Sequence, residues 1–148
     1  WEVKGLTRVE GSSETRRIAG TLILAQEGDR YEATFDLETR MLAGGAPTDV
    51  DVIGVGAGRV EGETLRGTAH TQIVASAVPG VDSGFAFVPR VVSTRIVSNS
   101  LGRLRPDDSL EIEIESEAEP GQNYQPTRTR LTGVRVSQAA AVDSRLRD

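Results

Sequence analysis

The sequence predicts an all-β fold, a single antiparallel meander of about eight strands. Two observations predict it. Apolar residues recur with period two rather than 3.6 along nearly the whole chain. Gly, Asp, Asn and Pro clusters punctuate it at intervals that suit strands rather than helices.

The first strand, 2–10, ends at Gly11-Ser12-Ser13. The second, 15–26, and the third, 30–40, are joined by Glu27-Gly28-Asp29-Arg30. Gly and Asp there supply the backbone conformations of a tight reversal. In the third strand Tyr31, Ala33, Phe35 and Leu37 point one way, and Glu32, Thr34, Asp36 and Glu38 the other. That alternation gives one dry face and one wet face. A longer loop, 41–48, leads to the fourth strand, 49–60, and Glu61-Gly62-Glu63 turns it into the fifth, 64–76. After a second long loop, 78–84, a sixth strand is expected over 85–98. Pro89 inside it marks an edge or a bulge, because proline donates nothing to a ladder. The chain then reverses at Asn99–Gly102 or at Arg105-Pro106-Asp107-Asp108. The seventh strand, 109–118, alternates Leu110, Ile112 and Ile114 with Glu111, Glu113 and Glu115. A third long loop, 119–126, precedes the eighth strand, 127–137. Residues 1–137 form a single β domain, and 138–148 a tail that is a short helix or disordered.

Eight strands in a meander close most economically into a barrel, which removes exposed edges. A closed or partly open barrel is therefore expected, with a two-sheet sandwich as the alternative. The 148 residues suit one domain with a core of its own. The absence of cysteine excludes a disulfide framework and thiolate metal sites. A net charge of −5 argues against a dedicated nucleic-acid surface, and three Phe, two Tyr and one Trp make a poor stacking platform. No apolar run reaches the length of a membrane span. Lys4 is the only lysine beside many arginines, a bias that fits Arg codons in a GC-rich bacterial genome. The chain starts at Trp1 rather than Met, which is read first as removal of a leader and second as an excised domain.

His70 is the only histidine, so a triad or proton shuttle would need it. It shares a strand face with Thr68 and Gln72, while Ala69, Thr71 and Ile73 take the other, and a polar residue on a wet face is the simpler account. Gly54-Val55-Gly56-Ala57-Gly58 invites a dinucleotide reading, but its spacing is wrong and a hairpin rather than a helix follows. A bulged or strongly bent strand is expected there. Asp49 and Asp51 with Glu61 and Glu63 could meet at one barrel end and bind calcium, and Asp82, Asp107 and Asp108 are further loop carboxylates. Solvated turn carboxylates are the preferred account. Glu111, Glu113, Glu115 and Glu117 form an acidic stripe that would face Arg128 and Arg130 if the last two strands pair. No catalytic, cofactor-binding or metal-binding residues are assigned.

An eight-stranded meander of this length resembles the calycin-type barrels, the lipocalin and avidin-like proteins. The resemblance is one of architecture. The lipocalin Gly-x-Trp signature on the first strand is absent, since Trp1 precedes Gly5. No functional residue is carried over.

Two functions are weighed. The first is a non-catalytic structural or protein-interaction domain. It would be an exported, periplasmic or extracellular, subunit or accessory domain of a larger cell-envelope assembly, with other protein subunits as partners. Its expected interface is the apolar stretch holding Phe85, Phe87 and Val88, with Trp1 and Tyr124 as further aromatics. The second is a barrel that takes a small apolar or amphipathic ligand into a dry cavity beneath loops 41–48 and 78–84. A core already filled by aliphatic and aromatic side chains would sink that reading.

Overall fold

A computed structural model describes residues 1–43, 46–75 and 92–136. The expected strands from 85 to 91, loop 78–84 and the tail 138–148 fall outside the described residues. The eight strands are β1 (Glu2–Val9), β2 (Thr15–Glu27), β3 (Arg30–Ala43), β4 (Ala46–Glu61), β5 (Thr64–Ala75), β6 (Val92–Leu104), β7 (Ser109–Ala118) and β8 (Thr127–Val134). Each pairs antiparallel with the next, and β8 returns to β1, so the meander closes into a barrel. Closure settles the choice between barrel and sandwich.

Alternation builds the wall. In β8 Thr127, Thr129, Leu131 and Gly133 are buried while Arg128, Arg130, Thr132 and Val134 are exposed. In β7 the glutamates face outward, and register places Glu113 opposite Arg130 and Glu115 opposite Arg128. Those pairs close at 2.8 and 3.1 Å. Apolar side chains thus face in and ion pairs face out, the reverse of a lipid-facing barrel.

Three boundaries differ from the sequence reading. The 41–48 loop is largely strand: β3 and β4 run on together to the Ala43–Ala46 pair. Among the described residues β4 pairs with β5 from Val50–Ala75 to Glu61–Thr64. Pro47 pairs with Leu42 of β3 in this stretch. The reversal after β6 is at Arg105–Asp108 and not at Asn99–Gly102. There Arg105 N–H bonds Ser109 O at 2.9 Å, the Asp107 carboxylate accepts from Ser109, and Asp108 takes φ 60°. The Gly54–Gly58 tract is neither bulged nor bent out of register, since its pairing with β3 and β5 is continuous. Its glycines face inward, and Gly54, Gly56 and Gly58 stand opposite Phe35, Ala33 and Tyr31 of β3. A Cβ on Gly54 would lie 2.5 Å from Phe35 Cζ, and one on Gly58 2.7 Å from Tyr31 Cε1. The absent side chains make room for two rings, the pairing known as aromatic rescue.

The two barrel ends are unlike. Strand direction puts the short turns at 28–29, 62–63 and 105–108 at one end, together with Trp1. The connections at 10–14 and 119–126, with the ends of β3 and β5, lie at the other, the long-loop end. The short-turn end holds most of the larger core cluster, Val3, Ile18, Leu22, Tyr31, Leu37, Leu65, Leu110 and Leu131. Leu110 is wholly buried. Burying a leucine of this kind is worth about 1.5–3 kcal/mol. A smaller cluster, Val50, Ile73 and Ile96, sits towards the long-loop end.

Candidate functional site

The inner face changes character along the barrel. Over the short-turn end it is aliphatic and aromatic. Towards the long-loop end, β1, β6, β7 and β8 contribute Thr7, Ser98, Ser116, Thr127 and Thr129, all buried. The β3–β5 side opposite is mixed, with Met41, Val50, Val52 and Ile73 beside Thr39, Thr48 and Thr71. A cavity of about 110 Å³ lies between these walls, lined by Phe35, Ile114, Thr7, Ser98 and Arg16 among others. An eight-stranded barrel is just wide enough to be filled by its own side chains or to hold one small ligand.

The hydroxyls are satisfied in pairs. Thr7 Oγ1 and Thr129 Oγ1 are 2.8 Å apart across β1 and β8, and Ser98 Oγ and Ser116 Oγ 2.7 Å apart across β6 and β7. Tyr124, from the β7–β8 connection, packs on the smaller cluster with its hydroxyl 3.0 Å from Thr127 Oγ1. Burial pushes the Tyr124 phenol above its ordinary value of 10.0, while the Thr127 hydrogen bond and the Arg16 charge pull it back. Among the described residues no buried side-chain nitrogen or oxygen lacks a partner.

Among the described residues Arg16 is the one charged side chain in this lining. β2 alternates Arg16, Ile18, Gly20, Leu22 and Leu24 on its less exposed face, so strand geometry turns the guanidinium inward. Its side chain is 17% exposed. Its Nε donates to Glu14 Oε1 at 2.8 Å. That hydrogen bond, and then the Arg16 charge, hold the Glu14 carboxyl below its usual range. Sequence reading passed over Arg16 and the hydroxyls. The available signal was the register of Arg16 with Ile18 and Leu22, and of Thr127 and Thr129 with Leu131.

The residues singled out from sequence fall elsewhere. Phe85, Phe87 and Val88 lie outside the described residues. Trp1 is half-buried against the larger core cluster. Its amine donates to Leu22 O and its carbonyl accepts from Leu22 N, both at 2.9 Å. The Arg135 guanidinium stands 5.6 Å from the ring centroid. Trp1 thus plugs the short-turn end, whereas Tyr124 lies at the long-loop end beside the cavity. His70 faces outward, 72% exposed, with Nδ1 3.4 Å from Glu119 Oε1, and Arg95 Nε is 3.7 Å from Glu119 Oε2. The four carboxylates considered for calcium do not meet: Asp49 and Asp51 start β4, and Glu61 and Glu63 flank its far end. The run of strand 52–60 separates the two pairs. Among the described residues no three His, Cys, Asp or Glu side chains converge as metal ligands, and no helix is long and apolar enough to cross a membrane. The cavity is also not uniformly dry, because hydroxyls line its upper wall.

Comparison with protein-family models, with curated proteins and with solved structures finds no match to this chain.

Proposed function

We propose that this barrel binds a small amphipathic molecule in its interior. One observation carries the reading: apolar side chains and paired hydroxyls together line one cavity, within a barrel whose opposite end is sealed by core. A purely structural barrel gains most from filling its interior with aliphatic groups. Paired hydroxyls facing a cavity forgo part of that burial and supply donors and acceptors for a guest. Native mass spectrometry of the protein isolated gently from its source tests this. A monomer of 15.8 kDa carrying a low-mass non-covalent adduct supports it, and a chain that stays free of any adduct while purified amphipaths also fail to bind refutes it.

A second reading, a protein-interaction domain in an exported assembly, draws on a patch of the outer wall. Ile53 and Val55 on β4 and Leu101 on β6 are exposed. They lie around Thr68, His70 and Gln72 on β5, and Arg66 opposite Leu101, Arg95 opposite Gln72 and Glu119 beside His70 border the patch. The same spectrum separates the readings, since this one expects other chains to travel with the barrel. Val55→Asp would then release them without unfolding the domain.

A further inference from the structure

Arg16 needs an explanation that the fold does not provide. It occupies an inward position whose neighbours along β2 are Ile18 and Leu22, and a guanidinium there gives up water that its surroundings must replace. Its one described acidic partner, Glu14, comes from the β1–β2 connection and is 43% exposed, so it meets the cation from the solvent side. Glu14 takes Nε, and an arginine has five N–H donors in a fork shaped for a carboxylate. The Glu14 hydrogen bond and the ion-pair contact both run through Nε.

Around it the hydroxyl wall continues the same polarity. Thr7 is the cross-strand partner of Arg16, and Thr129 the partner of Thr7 on the far side. In the Thr7–Thr129 pair one hydroxyl donates to the other, so one O–H proton remains to be offered to a guest. Further down the same cavity Phe35 and Ile114 give an apolar lining. The volume of about 110 Å³ holds roughly four groups of water or methylene size at about 30 Å³ each.

We infer that the ligand is a short-chain carboxylate, bound with its head group between Arg16 and the Thr7–Thr129 pair and its hydrocarbon against Phe35 and Ile114. The inference rests on the ligand-binding reading and specifies its chemistry. Glu14 then acts as the resident carboxylate that a ligand supplements or displaces.

The test is calorimetric and NMR titration of the full chain near neutral pH with acetate and propanoate, each set against the alcohol of equal length. The carboxylates should bind more tightly than the alcohols. Arg16→Gln should weaken carboxylate binding about 10- to 100-fold, the worth of a charge-assisted hydrogen bond set, and weaken alcohol binding far less. Glu14→Gln should tighten carboxylate binding several-fold by removing the competing charge. If alcohols bind as well as carboxylates, or Arg16→Gln leaves the carboxylates unaffected, the inference is overturned and the ligand-binding barrel survives it. If neither class binds, the ligand-binding reading itself fails. Circular dichroism shows whether Arg16→Gln folds. If it does not, Glu14→Gln decides, and an unchanged carboxylate affinity overturns the inference.

Discussion

Gly54→Ala is the substitution that most directly tests how this barrel is packed. A methyl group at that position would lie 2.5 Å from the His70 carbonyl oxygen and 2.5 and 2.9 Å from Cζ and Cε2 of Phe35. One of these neighbours is backbone in the β5 ladder and cannot step aside alone. Elsewhere in a strand, replacing glycine by alanine stabilises by about 0.4–1 kcal/mol through the unfolded chain. Here overpacking opposes it with a cost of about 1–3 kcal/mol, and the backbone contact places the cost in the upper part of that range. A net loss of about 2 kcal/mol is expected, which for a chain of this size lowers Tm by about 4–8 °C. Urea unfolding followed by circular dichroism measures it. Two comparisons sharpen the result. Ala57→Gly, on the exposed face of the same strand, should also destabilise, by about 0.5–1 kcal/mol, so the two positions want opposite residues. Phe35→Leu should reduce the cost of Gly54→Ala by at least about 0.5 kcal/mol, the scale of coupling between residues in contact. A Gly54→Ala protein as stable as the parent would refute the idea that these glycines exist to seat the rings.

Three further outcomes follow from the polar contacts. Ser98→Ala strands the buried Ser116 hydroxyl and should cost about 1–3 kcal/mol, while Ser98→Ala with Ser116→Ala should cost less than the two single changes together; a denaturant double-mutant cycle measures this. At alkaline pH the raised Tyr124 phenol favours the folded state while it is protonated. Its contribution is present below the ordinary value of 10.0 and is lost as pH rises through the higher folded value. Thermal melts across that range should fall, and Tyr124→Phe should remove this part of the fall. At acid pH the signs reverse for Glu14, Asp49 and Asp107, whose folded values are lowered by the hydrogen bonds of Arg16, Arg40 and Ser109 respectively. Their contributions are complete above the ordinary 4.5 and 3.8 and vanish as pH drops through the lower folded values. Urea midpoints taken from about pH 5 to about pH 2 should decline more gently in Arg40→Gln than in the parent.

Where one face of a strand is apolar and the other charged, the sequence discloses the strand. β3 and β7 are readable in this way, because Tyr31–Leu37 and Leu110–Ile114 alternate with carboxylates. β6 hides its second half for a physical reason. Its inward residues there are Ser98, Ser100 and Gly102, so both faces look polar and the period-two contrast disappears. Asn99–Gly102 then reads as a turn, and the apolar run at 85–92 attracts the strand assignment instead. The hydroxyl wall escaped notice for the same reason. The glycine tract misled differently. Taken alone, Gly54–Gly58 suggests a bend, and only the β3–β4 register, which sets Gly54 against Phe35 and Gly58 against Tyr31, shows that the space is occupied from the neighbouring strand.

The same features that concealed these segments divide the barrel between stability and function. Burial of Leu22, Leu65, Leu110 and Leu131 under short turns, with Trp1 drawn in by its two hydrogen bonds to Leu22, closes one end with core. Small side chains on β4, β5 and β6 then keep the interior from filling further up. Gly56, Ala69 and Ser98 lie in successive cross-strand pairs, and each is too short to reach the middle. A fully aliphatic row at those positions would bury more apolar surface at about 25 cal/mol per Å² and would erase the cavity. Ala69→Leu makes that trade in one step. It should raise or preserve the unfolding midpoint while abolishing binding of propanoate and propan-1-ol alike, whereas an interior that serves packing alone would lose stability on insertion of the larger side chain and show no ligand affinity to lose.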